Sequence, residues 1–148
     1  MKNLITFLFV CLTTVFAAVN LSFDNVDTGA GTLSVVMEND EAVGGFQFDT
    51  IGGTVDGCSG GSAADAGWII QVQDQTDTGG TRVMGFSFSG TVLDDADGDQ
   101  VQDYNPSTGI LCTLENASDV TGLKGIVVSD LQSNNLIDNA TTDPCIPQ

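Results

Sequence analysis

The sequence predicts an all-β protein, an antiparallel β-sandwich, on three observations. Eight short apolar or alternating runs recur along the chain, and clusters of Gly, Asp, Ser and Thr separate them. No run has an extended helical period, and eighteen glycines argue against long helices. Strands of this length at this spacing are typical of a sandwich. The predicted strands are residues 19–23, 32–37, 45–49, 54–58, 68–73, 82–89, 109–114 and 124–129.

The segment before the first strand, residues 1–17, is predicted to be a secretory signal peptide. Lys2 supplies a positive start, residues 4–16 are almost uncharged and apolar, and Ala17 ends a small-residue cleavage pattern. A membrane anchor is the alternative, but the apolar run is too short to cross a bilayer. No later segment is apolar enough to span. We therefore expect a secreted, extracellular protein without a membrane span, whose residues 18–148 form a single domain.

Two of the predicted strands show the period of two that marks a half-buried strand. Phe46 and Phe48 alternate with polar residues, and so do Met84, Phe86 and Phe88. Large apolar side chains at such positions lie more often in the core than on a binding surface. We expect these aromatic side chains, together with the single tryptophan of the fifth strand, to be buried.

An Asp-rich loop at residues 94–106 follows the sixth predicted strand, and its carboxylates have the order of a calcium-binding loop. Short carboxylates on alternating residues of a tight turn point their oxygens at one centre. Without a cation they repel one another at close range. A solvated acidic hairpin loop is the alternative interpretation. The predicted Ca²⁺ ligands are Asp95, Asp97, Asp99, the backbone carbonyl of Val101, and Asp103.

The Asp-rich loop also resembles the calcium repeats of the thrombospondin type 3 family, whose pattern is Asp-x-Asp-Gly-Asp-x-x-x-Asp-Tyr. Its four aspartates and the following Tyr104 match this pattern. The loop differs from an EF-hand, because Pro106 stands where an EF-hand has its bidentate glutamate. The resemblance implies calcium binding by an irregular loop.

Three cysteines, Cys58, Cys112 and Cys145, remain after the predicted cleavage. An odd number in an oxidising compartment is most simply one disulfide and one leftover thiol. Cys112 shares a strand face with Ile110 and Leu114, which we expect to point inward. We favour a Cys112–Cys145 bridge, although the sequence alone leaves the connectivity open.

The order of several glycine-containing motifs resembles that of the cohesin-like family of secreted β-sandwich modules. The likeness spans roughly residues 21–137, and the Asp-rich loop is an insertion relative to it. It implies a jelly-roll-like sandwich of about nine strands that acts in extracellular recognition or assembly without catalysis. The motifs are GGFQFD at 44–49, GCSGG at 57–61, VMGFSFSG at 83–90, GILCTL at 109–114 and GIVVSD at 125–130.

Charge and composition exclude several functions. Loss of Lys2 leaves Arg82 and Lys124 against twenty acids, a net charge of −18, which disfavours nucleic acid and favours divalent cations or basic surfaces. The chain has no histidine, CxxC or P-loop motif, so the usual nucleophilic triads are impossible and we expect no enzyme. Glycosylation sequons begin at Asn20, Asn116 and Asn139, which would lie on the surface if modified.

The sequence thus predicts a calcium-stabilised, non-catalytic binding or structural module. Its predicted role is extracellular protein–protein assembly or adhesion, with an extracellular protein partner or by self-association. The alternative is a carbohydrate-binding module with a glycan ligand. Exposed aromatic side chains on one sheet face would favour the glycan, whereas an open edge strand would favour protein assembly.

Overall fold

The computed structural model of the protein describes residues 19–75, 77, 79–93 and 107–137. The predicted signal peptide, the Asp-rich loop, Cys145 and Asn139 lie outside these residues. The described part of the chain contains no helix that is long and apolar enough to cross a membrane. Its elements are β1 (Val19–Asp27), β2 (Thr32–Asn39), β3 (Gly45–Ile51), β4 (Gly57–Ser59), α1 (Gly61–Asp65), β5 (Ile69–Gln75), β6 (Gly80–Phe86), β7 (Ser107–Glu115) and β8 (Gly122–Ser129).

The eight strands form two four-stranded antiparallel sheets, so the all-β prediction is confirmed. The first sheet has the order β1-β2-β7-β4 and the second the order β5-β6-β3-β8. Apolar side chains from both sheets belong to one hydrophobic core, which makes the architecture sandwich-like. Eight strands, and not nine, lie in the described residues. The jelly-roll topology stays a prediction.

The core is centred on aromatic side chains that the sequence correctly placed inside. Phe46 and Phe48 lie on the inner face of β3 with relative exposures of 4% and 0%. Their rings stack with centroids 5.8 Å apart, and the buried ring of Trp68 stacks on Phe46 at 6.0 Å. The indole Nε1 of Trp68 donates a hydrogen bond to the carbonyl oxygen of Thr91 at 3.0 Å. The polar end of this large side chain is therefore satisfied inside the fold.

The prediction that Met84, Phe86 and Phe88 form the buried face of strand β6 is wrong. Val83, opposite Phe48, is fully buried, and Gly85, opposite Phe46, also lies on the inner face. A Cβ atom on Gly85 would collide with the Phe46 ring, so this ring occupies the space of the missing side chain. Met84 and Phe86 consequently point outward and are half-buried. Phe88 lies beyond the end of the strand and is 84% exposed.

Strand β7 confirms the burial of Cys112 but contradicts that of Ile110. The register between β2 and β7 shifts between Val35 and Val36, which leaves Leu111 without a partner of its own. Leu111, Cys112 and Leu114 are all fully buried, whereas Ile110 is 37% exposed. An extra residue in a strand reverses the alternation of its side chains beyond that point.

The predicted Cys112–Cys145 bridge is also wrong, because Cys112 is bonded to Cys58. Strand β4 pairs with β7 in antiparallel register, which places Cys58 opposite Leu114 and close to Cys112. The two cysteine Cα atoms are 5.6 Å apart, and both side chains are buried. The disulfide therefore fastens the short edge strand β4 to the centre of the first sheet.

Candidate functional site

The most distinctive surface of the molecule is an open sheet edge. Each sheet has two edge strands, β1 and β4 in the first and β5 and β8 in the second. Edge strands carry unpaired backbone groups, and proteins usually shorten, kink or cover them. Among the described strands, β4 is very short, β8 is bulged and partly covered, and β1 is regular only from Val19 to Asp24, whereas β5 is regular over its whole length.

Strands β1, β4 and β8 each offer a less regular edge than β5, to different degrees. Strand β1 is irregular near its end, where its register shifts between Asp24 and Asp27 and Asn25 has a positive φ of 47°. Strand β4 has only three residues. Strand β8 is bulged and is partly covered by residues 131–137, in which the Leu136 amide donates to the carbonyl oxygen of Val128 at 2.8 Å.

Strand β5 is seven residues long and pairs with β6 in an unbroken register from Ile69 to Gln75. Its sequence, IIQVQDQ, has no proline or lysine and one charged residue, Asp74. Both of its faces are accessible, since outward-facing Ile69 is 39% exposed and inward-facing Val72 is 38% exposed. Around Val72, no described residue fully covers the inner face, because β4, the adjacent edge of the first sheet, has only three residues.

Buried threonines hold β5 in this position. The hydroxyl of Thr81 donates to a carboxylate oxygen of Asp74 at 3.0 Å and accepts the Val55 amide at 3.0 Å. The Thr81 amide in turn donates to the hydroxyl of Thr50 at 2.8 Å. Thr50 and Thr81 are fully buried. This network fixes the β5–β6 hairpin against the segment that leads to β4.

A second surface, the outer face of the second sheet, carries apolar and amide side chains. The register places in cross-strand rows the outward residues Ile69, Gln71 and Gln73 of β5; Arg82, Met84 and Phe86 of β6; Gly45, Gln47 and Asp49 of β3; and Lys124, Val127 and Ser129 of β8. A shallow hollow of about 250 Å³ opens at Gly45, because this residue has no side chain. The rings of Phe86 and Phe88 meet edge to face beside it, with centroids 5.2 Å apart.

One end of the outer face carries both cations of the predicted mature chain. Arg82 binds Asp49 through two hydrogen bonds, Nε to Oδ1 at 2.7 Å and Nη2 to Oδ2 at 2.9 Å. The hydrogen bond and then the charge of Asp49 raise the pKa of Arg82, against a smaller opposing effect of desolvation. Lys124 is the register partner of Asp49 on β8. In a strongly acidic protein, this face is thus locally close to neutral.

The predicted calcium ligands lie outside the described residues, so the structure brings none of them together. The described residues on either side of it are Leu93, which pairs with Val43, and Ser107, the register partner of Asn39. The next residue, Asp40, has a buried Oδ1 atom without a hydrogen-bond partner among the described residues. Within residues 19–75, 77, 79–93 and 107–137, no three acidic or cysteine side chains are grouped to hold a metal ion.

The sequence favoured assembly through an open sheet edge, but it did not identify β5 as that edge and did not predict the outer face of the second sheet as a candidate surface. The composition of β5 was a usable signal, because a seven-residue strand without lysine, proline or glycine has few of the usual defences of an edge. Which strand forms an edge, however, depends on pairings that the sequence did not reveal. Asn20 and Asn116 of the predicted sequons are exposed, as expected of such sites.

The chain matches no protein-family model, no curated protein and no solved structure.

Proposed function

We propose that the protein is a secreted, non-catalytic module that assembles with other protein through its open edge strand, β5. The observation that supports this proposal is the contrast between the regular edge of β5 and the other three edges, which are short, irregular near one end, or bulged and partly covered. A strand added to β5 would satisfy its unpaired backbone groups, and alternate side chains of the added strand would contact the two exposed faces. Ile69 on the outer face and Val72 on the inner face supply apolar contacts on both sides.

Secretion and calcium binding belong to the same proposal. A buried disulfide fits an oxidising compartment, and the signal-peptide pattern of residues 1–17 fits export. Calcium would bind Asp95, Asp97, Asp99, the Val101 carbonyl and Asp103, and would neutralise part of the loop's negative charge. The buried Oδ1 of Asp40, which has no hydrogen-bond partner among the described residues, follows Asn39, the register partner of Ser107, and is consistent with a nearby cation or donor.

The proposed function can be tested with peptides that bind as strands. A displayed library of extended peptides would be selected on the wild-type protein and then measured on Val72→Lys. We expect selected peptides to alternate apolar and polar residues and to lose at least tenfold in affinity on this variant, because a lysine at a sheet edge opposes strand addition. Val26→Lys is the matched control, since Val26 is an exposed valine on the irregular edge strand β1.

Equal loss of peptide affinity on both valine variants would show that general charge, and not the β5 edge, controls binding. Selection of peptides whose affinity ignores both variants would place the binding surface elsewhere and contradict the proposal. Far-ultraviolet circular dichroism of each variant would establish that the fold is retained.

Carbohydrate binding is the second candidate, and the outer face of the second sheet favours it. A flat sheet surface with exposed phenyl rings and amide side chains suits a sugar ring, which stacks on aromatics and hydrogen-bonds to amides. Gly45→Val would place side-chain atoms in the hollow, and its Cβ atom would meet its neighbours only at ordinary contact distances of 3.6 Å. Glycan-array signals that Gly45→Val and Phe88→Ser both abolish would support this candidate; signals unchanged in both would reject it.

A further inference from the structure

We infer that the strand added to β5 is the β5 of a second copy, in antiparallel pairing, giving a closed dimer with one continuous eight-stranded sheet. The inference rests on the proposed function, because it names the partner of the same edge. Three features support it: the self-complementary pattern of the strand, the position of its acidic end, and the short, irregular or partly covered edges of the other described strands.

The side chains of two β5 strands match one another in antiparallel pairing. We place Gln71 opposite its equivalent in the second copy, so that Ile70 lies opposite Val72 on the inner face. Ile70 already packs against the core, and Val72 is 38% exposed. The pairing would join these residues and their equivalents into one apolar strip on the side that β4 leaves uncovered. On the outer face, the two Gln71 amides would meet at the symmetry axis, where amide side chains can hydrogen-bond across strands.

Repulsion between acidic side chains favours antiparallel over parallel pairing of the two strands. Two exposed acidic residues, Asp74 and Asp77, lie together at the end of β5 and in the following turn, and Asp65 precedes the other end of the strand. Parallel pairing would set the acidic ends of the two copies side by side. In the antiparallel register, the two Asp74 positions are six residues apart along the strands, about 20 Å at 3.4 Å per residue. That separation exceeds the screening length of about 8 Å at physiological salt.

A two-fold dimer through β5 leaves no free β5 edge for a third copy. A two-fold pairing uses the β5 edge of both copies and so closes on itself; of the edges that remain among the described strands, β4 is short, β8 is partly covered and β1 is regular only from Val19 to Asp24. The assembly should therefore stop at two copies and should not extend into filaments. The outer faces of the two copies, with their half-buried Phe86 and exposed Phe88 rings, would lie on the same side of the shared sheet.

Sedimentation velocity of the secreted protein across micromolar to millimolar concentration tests the dimer. We expect a monomer–dimer equilibrium without larger species, a dimer dissociation constant at least tenfold higher for Val72→Lys, and no change for Val26→Lys. A monomer at every concentration would overturn the inference. If selected peptides still bound such a monomer through β5, the proposed function would stand and only the identity of the partner would fail.

Cross-linking tests the register in a Cys145→Ser background. We expect a short bis-maleimide to link Gln71→Cys copies into dimers, because directly opposite Cβ atoms are about 5 Å apart. The same reagent should fail with Gln73→Cys, whose equivalents are about 14 Å apart in this register. Efficient linking through position 73 and not 71 would overturn the register, and equal linking through both would show random collision and contradict a defined interface.

Discussion

Strands β4 and β5 lie next to each other on one side of the sandwich, yet they are built in opposite ways. Strand β4 has three residues and a disulfide that ties it to the centre of the first sheet, whereas β5 has seven residues and no described strand paired with its outer side. The shortness of β4 leaves the inner face of β5 uncovered. Strand β4 therefore contributes to stability and strand β5 is available for binding, so a change to one strand should leave the role of the other intact.

Removing the disulfide should have the largest effect on stability. In the chain-entropy model, a cross-link over 54 residues stabilises by about 4 kcal/mol. We expect Cys58→Ala with Cys112→Ala to lower the free energy of unfolding by about that amount in urea titrations, while the protein that remains folded keeps β5-dependent binding. Cys145→Ala is the control and should leave stability unchanged. Equal destabilisation by Cys145→Ala would contradict the Cys58–Cys112 pairing.

Calcium should act on the β4 side of the comparison, because the Asp-rich loop leads into β7, the strand that carries Cys112. A ligand at a hundredfold excess over its dissociation constant stabilises by about 2.7 kcal/mol. We expect calcium to raise the melting temperature with a dissociation constant of about 10⁻⁴ M, as in weak extracellular sites. Affinity of β5 for selected peptides should not change.

Asp97→Ala with Asp99→Ala should abolish the calcium response and preserve the fold without calcium. The charge-matched control is Asp56→Ala with Asp119→Ala, which removes two exposed acids of the described surface. Calorimetry without any heat of binding at millimolar calcium would show that the loop is only a solvated turn.

Thr81→Val should weaken the attachment of β5 with an intermediate effect. The substitution removes the acceptor of the Val55 amide and the donor to Asp74 while keeping the shape of the side chain. Leaving a buried backbone amide unsatisfied costs about 1–3 kcal/mol. Thr81→Ser retains the hydroxyl and should cost less. If the serine variant unfolded at lower denaturant than the valine variant, the hydrogen-bond network would not be what holds the hairpin.

Arg82→Gln should have the smallest effect on stability, because the Arg82 side chain is 35% exposed to solvent, and a glutamine amide can still donate a hydrogen bond to the nearly buried carboxylate of Asp49. The raised pKa of Arg82 means that its stabilising contribution is complete below the unfolded-state value and is lost only as pH rises through the still higher folded-state pKa. The difference in melting temperature between wild type and variant should therefore be constant across neutral pH. A difference that disappears at neutral pH would contradict this.

The sequence predicted the strands well because alternation and turn residues are local signals. All eight runs correspond to strands, with bounds that differ by a few residues. It failed where the outcome depends on pairing between distant segments. The bulge at Leu111 reversed the orientation of Ile110, the register of β3 turned Phe86 outward, and the pairing of β4 with β7 decided the disulfide. The open edge of β5 follows from the same strand order and was equally invisible.

Hydrogen–deuterium exchange of the backbone amides tests the central claim, that β5 is the binding edge, most directly. It would be measured on dilute protein, on concentrated protein and with an excess of a selected peptide. The account predicts that amides of β5 that point away from β6 exchange quickly in dilute protein and become protected on strand addition, while β1, β4 and β8 do not change. Protection that appears at another edge, or no added protection in β5 with bound peptide, would contradict it.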